Sequence, residues 1–191
     1  MTTTDIKVHQ QNSAYDSPWS WYERVCVLVW HICWTVFCSW TPKPLNSWRL
    51  LWLRLFGCKI YGKPFVHQRA RIQIPWNLSL GDRACLGDRA NAYSLGVIEI
   101  KAAATIAQEA YLCTGTHDFS QSNLPLVTAK ITIEEEVFVG ARAFILPGVT
   151  VGKRAVVGAC SVVTKDLPAN MICAGQPCRV LHARLIKDQA S

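Results

Sequence analysis

The 191-residue sequence lacks the patterns that mark several protein classes. Its nine cysteines include no C-x-x-C pair, so the usual spacing of zinc ligands is missing. The net charge is +7, yet no run of five or more basic residues occurs. This argues against a nucleic-acid partner and leaves a membrane surface or a phosphorylated small molecule as the anionic partner. The polar first 16 residues carry no apolar segment of the secretory kind.

The main apolar stretch is too short for a membrane span. It runs from Val25 to Trp40, has 16 residues and contains His31, whereas a spanning helix needs about 20 residues. Cysteines at apolar positions, such as Cys85 and Cys160, act as small hydrophobic residues. Unpaired cysteine of this kind is typical of a reducing compartment, so we predict a cytoplasmic protein.

The composition changes near Gly57. Residues 1–17 are polar and predicted to be flexible, and residues 18–57 form an apolar helical extension that holds seven of the eight tryptophans. Pro42 is expected to end a first helix of the extension, because proline cannot continue a helix. Ser47 is expected to cap a second, short helix that Gly57 ends.

The basic and tryptophan-rich surface of this extension has two interpretations. Arg49 and Arg54 stand among Trp48, Leu51 and Trp52, a mixture that is typical of helices lying in a membrane interface. The same surface can instead pack on the rest of the chain or on a neighbouring subunit. The sequence leaves both interpretations open.

A six-residue repeat begins near residue 80 and decides the fold class. Each unit starts with an aliphatic residue, continues with a small residue or an acid, and has a small or β-branched residue at its fifth position. Seven units match fully: LGDRAC from Leu80, LGDRAN from Leu86, IAQEAY from Ile106, IEEEVF from Ile133, VGARAF from Val139, VGKRAV from Val151 and VGACSV from Val157. The phase slips before Ile100 and again at a loop predicted for 118–130.

A period of six fits neither a helix, with a period of about 3.6, nor an amphipathic strand, with a period of about 2. It predicts an all-β solenoid, a parallel β-helix over residues 58–170, in which three units form one triangular coil and about five coils stack. Aliphatic residues of successive coils form columns, such as Ile133, Val151 and Ala169. Glycine at the second position of a unit is expected to relieve the turn. Residues 171–191 form a C-terminal tail.

Five longer motifs follow Gly57 in the chain. They are PWNL at 75–78, AYLCTGTHD at 110–118, LPGVTVG at 146–152, SVVTKDLP at 161–168 and GQPCRV at 175–180. Together they resemble the hexapeptide-repeat acyltransferase superfamily over residues 58–182, and within it the colanic-acid-type exopolysaccharide acetyltransferases. The resemblance implies a left-handed β-helix, a homotrimer with sites between adjacent subunits, and acetyl transfer from acetyl-CoA to a sugar hydroxyl, without a metal.

The resemblance also implies the catalytic residues. A sugar hydroxyl is a poor nucleophile at neutral pH, so a base must remove its proton as it attacks the thioester. His117 matches the family's catalytic histidine, and the ordinary pKa of histidine, about 6.5, suits that role. Asp118 follows as a second catalytic candidate that could orient the imidazole or contact the acceptor.

The binding residues are implied in the same way. Asp88, Asn91 and Phe138 are the candidates for the acceptor site, where Gly87 stands in place of the asparagine of the galactoside enzymes and Phe138 in place of a tryptophan. Main-chain groups at small residues are expected to pair with the arm of acetyl-CoA, and two basic residues to face its phosphates. These candidates are Gly140, Ala141, Gly158, Ala159, Lys165 and Arg179.

Two other functions are open on the same fold. A non-catalytic scaffold or partner-binding subunit would keep the stacked aliphatic residues without a use for His117. A metal enzyme of the γ-class carbonic anhydrase type needs three converging histidines, and the repeat region offers His117 with His67 before it and His182 after it. We expect an acetyltransferase rather than either of these, with a sugar or lipid-linked saccharide as acceptor. The enzyme would bind this acceptor at the cytoplasmic face of the membrane.

Overall fold

The computed structural model describes residues 6–10 and 17–185, and most of them form a left-handed parallel β-helix. Three sheets run along its axis, and each turn of the chain adds one short strand to each sheet. We name these sheets the first, second and third faces, in the order in which the chain visits them. The fold class that the six-residue period predicts is confirmed.

The faces consist mainly of parallel strands of two or three residues. The first face contains β2 (Lys59–Ile60), β5 (Leu78–Leu80), β8 (Ile98–Ile100), β13 (Ile131–Ile133) and β16 (Thr150–Val151). The second face contains β3 (Phe65–Val66), β6 (Cys85–Leu86), β9 (Thr105–Ile106), β14 (Phe138–Val139), β17 (Val156–Val157) and β19 (Met171–Gly175), with β20 (Cys178–Ala183) antiparallel to β19. The third face contains β4 (Arg71–Ile72), β7 (Asn91–Tyr93), β10 (Tyr111–Cys113), β15 (Phe144–Ile145) and β18 (Val162–Val163).

The strands make five complete turns and begin a sixth, slightly more than the sequence predicts. In the sixth turn Leu167 bridges to Val151, and β19 pairs in parallel with β17. The predicted column of Ile133, Val151 and Ala169 is therefore wrong in its last member. Leu167 takes that place because the chain closes the preceding corner in fewer residues than a full repeat unit, and Ala169 lies exposed in the following turn.

Aliphatic residues fill the interior of the triangle and stack on one another. In the second face Ile106, Val139 and Val157 are in register and have no exposed surface. Burial of a side chain of this size contributes about 1.5–3 kcal/mol. Alanines at the fifth position of their units, such as Ala104 and Ala143, are equally buried, so the corners can close around a narrow core.

The tight turns use glycine differently from the prediction. A positive φ falls on the fourth residue of the unit, such as Ala103 or Arg142, and lies between 53° and 59° in nine of the described turns. Glycine at the second position has no such φ. A Cβ on Gly140 would instead lie 2.6 Å from the amide nitrogen of Ala159 in the next turn. Glycine is needed there because successive turns stack closely.

Two helices cover the first turn of the β-helix. The first, α1 (Trp21–Phe37), begins with a capping box in which Ser20 and Glu23 each bond the other's main chain. A 3-10 helix (Lys43–Leu45) leads into the second, α2 (Asn46–Leu55). In the described part of the chain, no helix is both long and apolar enough to cross a membrane.

Hydrogen bonds from two long side chains attach these helices to the β-helix. The indole Nε1 of Trp30 donates to the carbonyl oxygen of Ile72 at 2.8 Å. The fully buried guanidinium of Arg49 donates to the carbonyl oxygens of Val66, Pro42 and Lys43 at 2.8, 2.9 and 3.1 Å. Main-chain oxygens accept hydrogen bonds from this buried guanidinium, so its charge is compensated. The same bonds attach the helices to the first turn.

A short strand lies within the N-terminal segment that the sequence predicts to be flexible. This strand, β1 (Ile6–His9), pairs antiparallel with β12 (Leu126–Ala129), which also pairs with β11 (Gly115–His117). Pairing on the edge of β12 satisfies main-chain groups of a polar segment that has no core of its own. The predicted 118–130 loop is thus the tip and second strand of a hairpin. Residues 1–5, 11–16 and 186–191 of the predicted terminal segments lie outside the described residues.

Candidate active site

The third corner of the β-helix, between the third and first faces, is irregular. The other two corners repeat one tight turn, whereas this corner inserts a 3-10 helix (Pro75–Asn77) and the β11–β12 hairpin. Two fully buried hydroxyls replace the missing main-chain partners. The Ser94 Oγ accepts from the amide of Ile74 and the Thr114 Oγ1 accepts from the amide of Gly96, both at 2.9 Å. The corner is therefore irregular but fully bonded at these points.

The last residue of β11, His117, has a defined tautomer. Its Nδ1 lies 2.7 Å from the carbonyl oxygen of Leu124. A carbonyl oxygen can only accept, so Nδ1 carries the proton of the neutral ring and Nε2 keeps its lone pair. The residue is exposed. Sequence reasoning missed Leu124, because it contributes a main-chain oxygen that any residue would carry.

The carboxylate of Asp118 is bound within the hairpin tip and does not contact the imidazole. Its Oδ1 accepts from the amide and the hydroxyl of Ser120, at 2.9 and 2.6 Å, and its Oδ2 accepts from Nε2 of Gln121 at 2.8 Å. These bonds, the Ser120 hydroxyl foremost, hold the pKa of Asp118 below its usual range. The side chain therefore organises the segment that carries Leu124.

The predicted acceptor residue Asp88 lies at the second corner, between the second and third faces. Its carboxylate bonds Nε and Nη2 of Arg69 at 2.7 and 2.6 Å, and its Oδ1 lies 3.1 Å from Nδ1 of His67. The amide of Arg69 donates to that Nδ1 at 3.3 Å, so Nδ1 accepts and Nε2 carries the proton of the neutral ring. Burial foremost lowers the pKa of His67, so the ring is neutral at pH 7.

The other two predicted acceptor residues lie on outer surfaces of two different faces. Asn91 stands between Arg71 and Tyr111 in the third face, and Phe138 is 42% exposed in the second face. The three predicted acceptor residues are therefore spread over a corner and two faces. Within one chain the structure does not gather them around His117.

Four of the predicted acetyl-CoA residues share one corner. Gly140 with Ala141, and Gly158 with Ala159, occupy successive turns of the second corner. The two glycines already have a packing role, since a Cβ on Gly158 would lie 2.8 Å from that of Ala174. Their small size is therefore no specific sign of a ligand, but the exposed Ala159 leaves the edge of the corner accessible.

The two predicted phosphate-binding residues lie apart from each other. Arg179 in β20 pairs with Ala174 of β19, beside the turn of Gly158, whereas Lys165 follows β18 at the third corner. Both are exposed, and within residues 6–10 and 17–185 neither pairs with an acid. Of these two residues, only Arg179 lies near the second-corner turns of Gly140 and Gly158.

His117 and the acetyl-CoA candidates of the second corner lie on opposite edges of the third face. One side of the triangle corresponds to six residues, which span at most about 20 Å in extended form. A single chain therefore holds His117 at one edge of that face and the turns of Gly140 and Gly158 at the other.

The described residues include no group of three or more His, Cys, Asp or Glu side chains that could hold a metal ion. All nine cysteines are free. Cys160, taken from the sequence as an apolar position, is exposed in a turn, whereas burial raises the pKa of the Cys58 thiol to about 12. The cysteines therefore differ widely in accessibility.

Comparisons with known proteins identify the family. A family model described as "Hexapeptide repeat of succinyl-transferase" matches residues 130–165. The chain is 42% identical over 158 residues to "Putative colanic acid biosynthesis acetyltransferase WcaF" of Escherichia coli (strain K12). That alignment covers 83% of this chain and 86% of WcaF.

Solved structures with the same fold include two complexes. Galactoside acetyltransferase in complex with coenzyme A has a TM-score of 0.79 at 22% identity, over 91% of this chain and 88% of that chain. A hexapeptide-repeat acetyltransferase from Vibrio cholerae O1 biovar eltor, complexed with acetyl coenzyme A, has a TM-score of 0.80 at 20% identity, over 90% and 94%. At these identities the likeness concerns the fold. Together with the extended match to WcaF, it shows that the chain belongs to the hexapeptide-repeat acetyltransferases.

Proposed function

We propose that this acetyltransferase moves the acetyl group of acetyl-CoA to a hydroxyl of a saccharide, with His117 as the general base. One observation carries the proposal, the 2.7 Å contact between Nδ1 of His117 and the carbonyl oxygen of Leu124. It makes Nε2 the basic nitrogen of an exposed ring. The complexes of its structural neighbours with coenzyme A and acetyl coenzyme A support the choice of cosubstrate.

The reaction is a single displacement that returns the base to its starting state. Nε2 of His117 takes the proton of the acceptor hydroxyl, and the oxygen attacks the carbonyl carbon of the thioester. The carbon–sulfur bond then breaks, and the departing thiolate takes the proton from Nε2. The Leu124 carbonyl stabilises the imidazolium that exists between these steps. Asp118 acts as a positioning residue, because it fixes the tip that carries Leu124.

The acceptor belongs, in this proposal, to the assembly of an exopolysaccharide. The support is the 42% identity to a protein named for colanic acid biosynthesis. A lipid-linked saccharide is the expected acceptor, because the exposed apolar side of α1 suits a membrane surface.

We also propose a homotrimer, with each site shared between two subunits. The separation of His117 from the turns of Gly140 and Gly158 supports it, because a neighbouring chain can supply the second half of the site. Light scattering after gel filtration is expected to give about 64 kDa, three times the chain mass of 21.3 kDa. A mass of one chain would contradict the shared site.

The role of His117 is tested by thiol release from acetyl-CoA over a panel of mono- and oligosaccharides. Replacement of His117 by alanine is expected to reduce kcat by about 10²–10⁴-fold, the usual contribution of a general base. His182→Ala is the matched control, since His182 is also exposed but lies on β20. An unchanged rate for His117→Ala would remove the residue from its role and favour the scaffold alternative.

Mixing two inactive variants tests the shared site. His117→Ala removes the base, and Ala159→Trp blocks the exposed edge of the second corner. If each site takes one corner from each of two chains, mixed trimers contain sites with both corners intact, and activity returns on mixing. If each chain holds a complete site, the mixture stays inactive.

We further propose that the enzyme works in the cytoplasm, at the membrane surface. The outward side of α1 exposes Trp21, Leu28 and Ile32 by 75%, 59% and 53%. From Arg24 to Gly81 the chain has eight basic residues and no acid, so the charge around this apolar side complements anionic lipid.

Vesicle sedimentation tests this surface. The protein is expected to bind vesicles of phosphatidylcholine with phosphatidylglycerol, and much less to phosphatidylcholine alone. A triple change of Trp21, Leu28 and Ile32 to serine should abolish binding and leave turnover of a soluble sugar unchanged. Equal binding by the triple variant would contradict the proposal.

A further inference from the structure

A groove separates the N-terminal elements from the third corner, and it is lined by neither His117 nor the acetyl-CoA candidates. It has a volume of about 310 Å³. Its walls come from β1, the start of α1, the 3-10 helix Pro75–Asn77 and β12. The lining residues that bear on its chemistry are Lys7, His9, Trp19, Glu23, Trp76 and Asn77. Two adjoining cavities of about 180 and 250 Å³ share Glu23 and Trp76 with it. The combined cleft is large enough for an extended ligand.

Aromatic rings supply flat apolar surfaces in the groove. Trp19 and Trp76 both line it and both are half-buried. The ring of His9 lies 5.2 Å from that of Trp19, centroid to centroid. Burial foremost, and then Lys7, lowers the pKa of His9, so this ring is neutral at pH 7. Such aromatic surfaces can stack on the apolar C–H faces of pyranose rings, a contact that polar side chains do not provide.

Fixed polar groups accompany the aromatic rings. Glu23 is held by the capping box, since its Oε2 accepts from the amide and hydroxyl of Ser20, both at 2.8 Å. Asn77 uses its amide nitrogen on the carbonyl oxygens of Ser94 and Leu95, both at 3.0 Å, so its oxygen is the atom left for a ligand. Preorganised acceptors of this kind suit hydroxyl groups.

The charges of the groove do not suit a phosphate. Lys130 is paired with Glu99 at 2.9 Å, and Glu23 adds a negative charge to the wall itself. A nucleotide or the phosphates of coenzyme A would meet that carboxylate, and the main groove offers Lys7 but no arginine, the residue that binds phosphate in two-pronged fashion. The mixture of tryptophan, carboxylate, amide and neutral imidazole fits a polyhydroxylated ligand better.

The groove opens next to the proposed base. His9 and His117 both pair with Leu126, from opposite sides of β12. Directly paired residues of an antiparallel sheet project from the same side, so the two imidazoles lie in one row, about 10 Å apart across two strand spacings. At its other end the cleft is bounded by Tyr22 and Cys26, beside the exposed side of α1.

We infer that this groove binds the saccharide part of the acceptor, with Trp19 and Trp76 as stacking surfaces and Glu23 and Asn77 as hydrogen-bond acceptors. The inference rests on the proposed function, since it places the acceptor of that reaction. The cleft runs from the exposed side of α1 to the row of His117. A lipid-linked saccharide can therefore extend from the membrane surface to the base.

Steady-state kinetics with the best sugar from the thiol-release panel tests the groove. Trp19→Ala is expected to raise the KM for the sugar about tenfold, the equivalent of one aromatic contact, and to leave the KM for acetyl-CoA unchanged. Glu23→Gln should raise the same KM by a smaller factor. It keeps the capping box, in which glutamine serves as well as glutamate, so any loss is not due to unfolding of α1.

Trp21→Ala is the matched control, because Trp21 is an exposed tryptophan of the same helix outside the groove. Its KM for a soluble sugar should equal that of the wild type. If both Trp19→Ala and Glu23→Gln keep the KM of the wild type for the sugar, the groove is not the saccharide site, although His117 can still be the base. If no sugar speeds thiol release from the wild type, the proposed function itself fails, and the groove assignment falls with it.

Discussion

The regular corners and the third corner of the β-helix use opposite means to turn the chain. At the regular corners one turn is repeated, with a glycine or small residue where successive turns touch and a positive φ at the fourth position. At the third corner buried hydroxyls, a 3-10 helix and a hairpin replace that turn. The hairpin with His117 and the groove both lie there. Repetition builds the scaffold, and departures from it create room for chemistry.

The largest expected difference concerns glycine at the two kinds of corner. A Cβ on Gly140 would lie 2.6 and 2.7 Å from main-chain atoms of the next turn, which cannot move without shifting the coil. Gly140→Ala is therefore expected to lower the free energy of unfolding by about 1–3 kcal/mol. At the third corner a Cβ on Gly96 would lie 3.3 Å from a side-chain carbon of Thr128, so Gly96→Ala should change it much less.

Chemical denaturation of both variants measures this difference. Equal destabilisation by Gly140→Ala and Gly96→Ala would mean that the two corners are equally tight. The contrast between them would then be wrong.

The buried hydroxyl of Thr114 gives the next effect. It donates to the carbonyl oxygen of Tyr93 at 2.7 Å and accepts from the amide of Gly96 at 2.9 Å. Thr114→Val keeps the shape but leaves the amide of Gly96 unpaired, while the carbonyl oxygen of Tyr93 keeps only the amide of residue 114, at 3.2 Å. The expected loss is about 1–2 kcal/mol. For a chain of this size that corresponds to a fall in Tm of roughly 2–8 °C. Thr132→Val, on the half-buried outer side of β13, is the control and should melt near the wild type.

The scaffold could be predicted from the sequence because its physics is periodic. The regular spacing of aliphatic residues predicts both the core and the fold, as it does for Ile106, Val139 and Val157. The position of Leu167 could not be predicted, because it depends on how the chain closes one corner. Nor could the pairing of β1, since Ile6–His9 alternates apolar and polar residues for only four positions, and its partner β12 lies more than 100 residues away in the chain.

The candidate site was predictable only in part. His117 stands out by its place at the end of a repeat and by the motif around it. The Leu124 carbonyl has no sequence signal, because every residue carries a main-chain oxygen. The groove has none either, because only the tertiary structure brings Trp19 and Trp76 to the same cavity. Asp88 is an acceptor candidate in the sequence because it follows Gly87, which stands in place of the asparagine of the galactoside enzymes. In the structure its carboxylate is bound to Arg69.

A smaller effect is expected from Asp118, on activity rather than on stability. Asp118→Ala removes the bonds from Ser120 and Gln121 that order the tip, so Leu124 is held less firmly against the imidazole. We expect kcat to fall about tenfold, which is about 1.4 kcal/mol in activation free energy, with an unchanged Tm. A rate equal to that of the wild type would show that the tip does not position the base.

The pH dependence of the tip follows from the same bonds. Because they lower the pKa of Asp118, the order that they provide is complete at neutral pH and is lost only as the pH falls through that lowered value. The tip should therefore stay ordered between pH 8 and pH 5, and Asp118→Asn should keep the shape of the profile of kcat against pH in that range.

The smallest expected effect is a gain in stability at a regular corner. Ala103 has a φ of 56°, a left-handed conformation that is unfavourable by about 1–2 kcal/mol for a residue with a Cβ. Ala103→Gly removes that strain but increases the entropy of the unfolded chain, at a cost of about 0.4–1 kcal/mol, so the net stabilisation lies between about 0 and 1.6 kcal/mol. Gly81→Ala in the adjacent turn should destabilise, because its Cβ would lie 2.5 Å from the amide nitrogen of Ala102. Opposite shifts in Tm would show that residue 103 is strained by its left-handed backbone, whereas residue 81 must be glycine because successive turns stack closely. Shifts of the same sign would contradict this explanation.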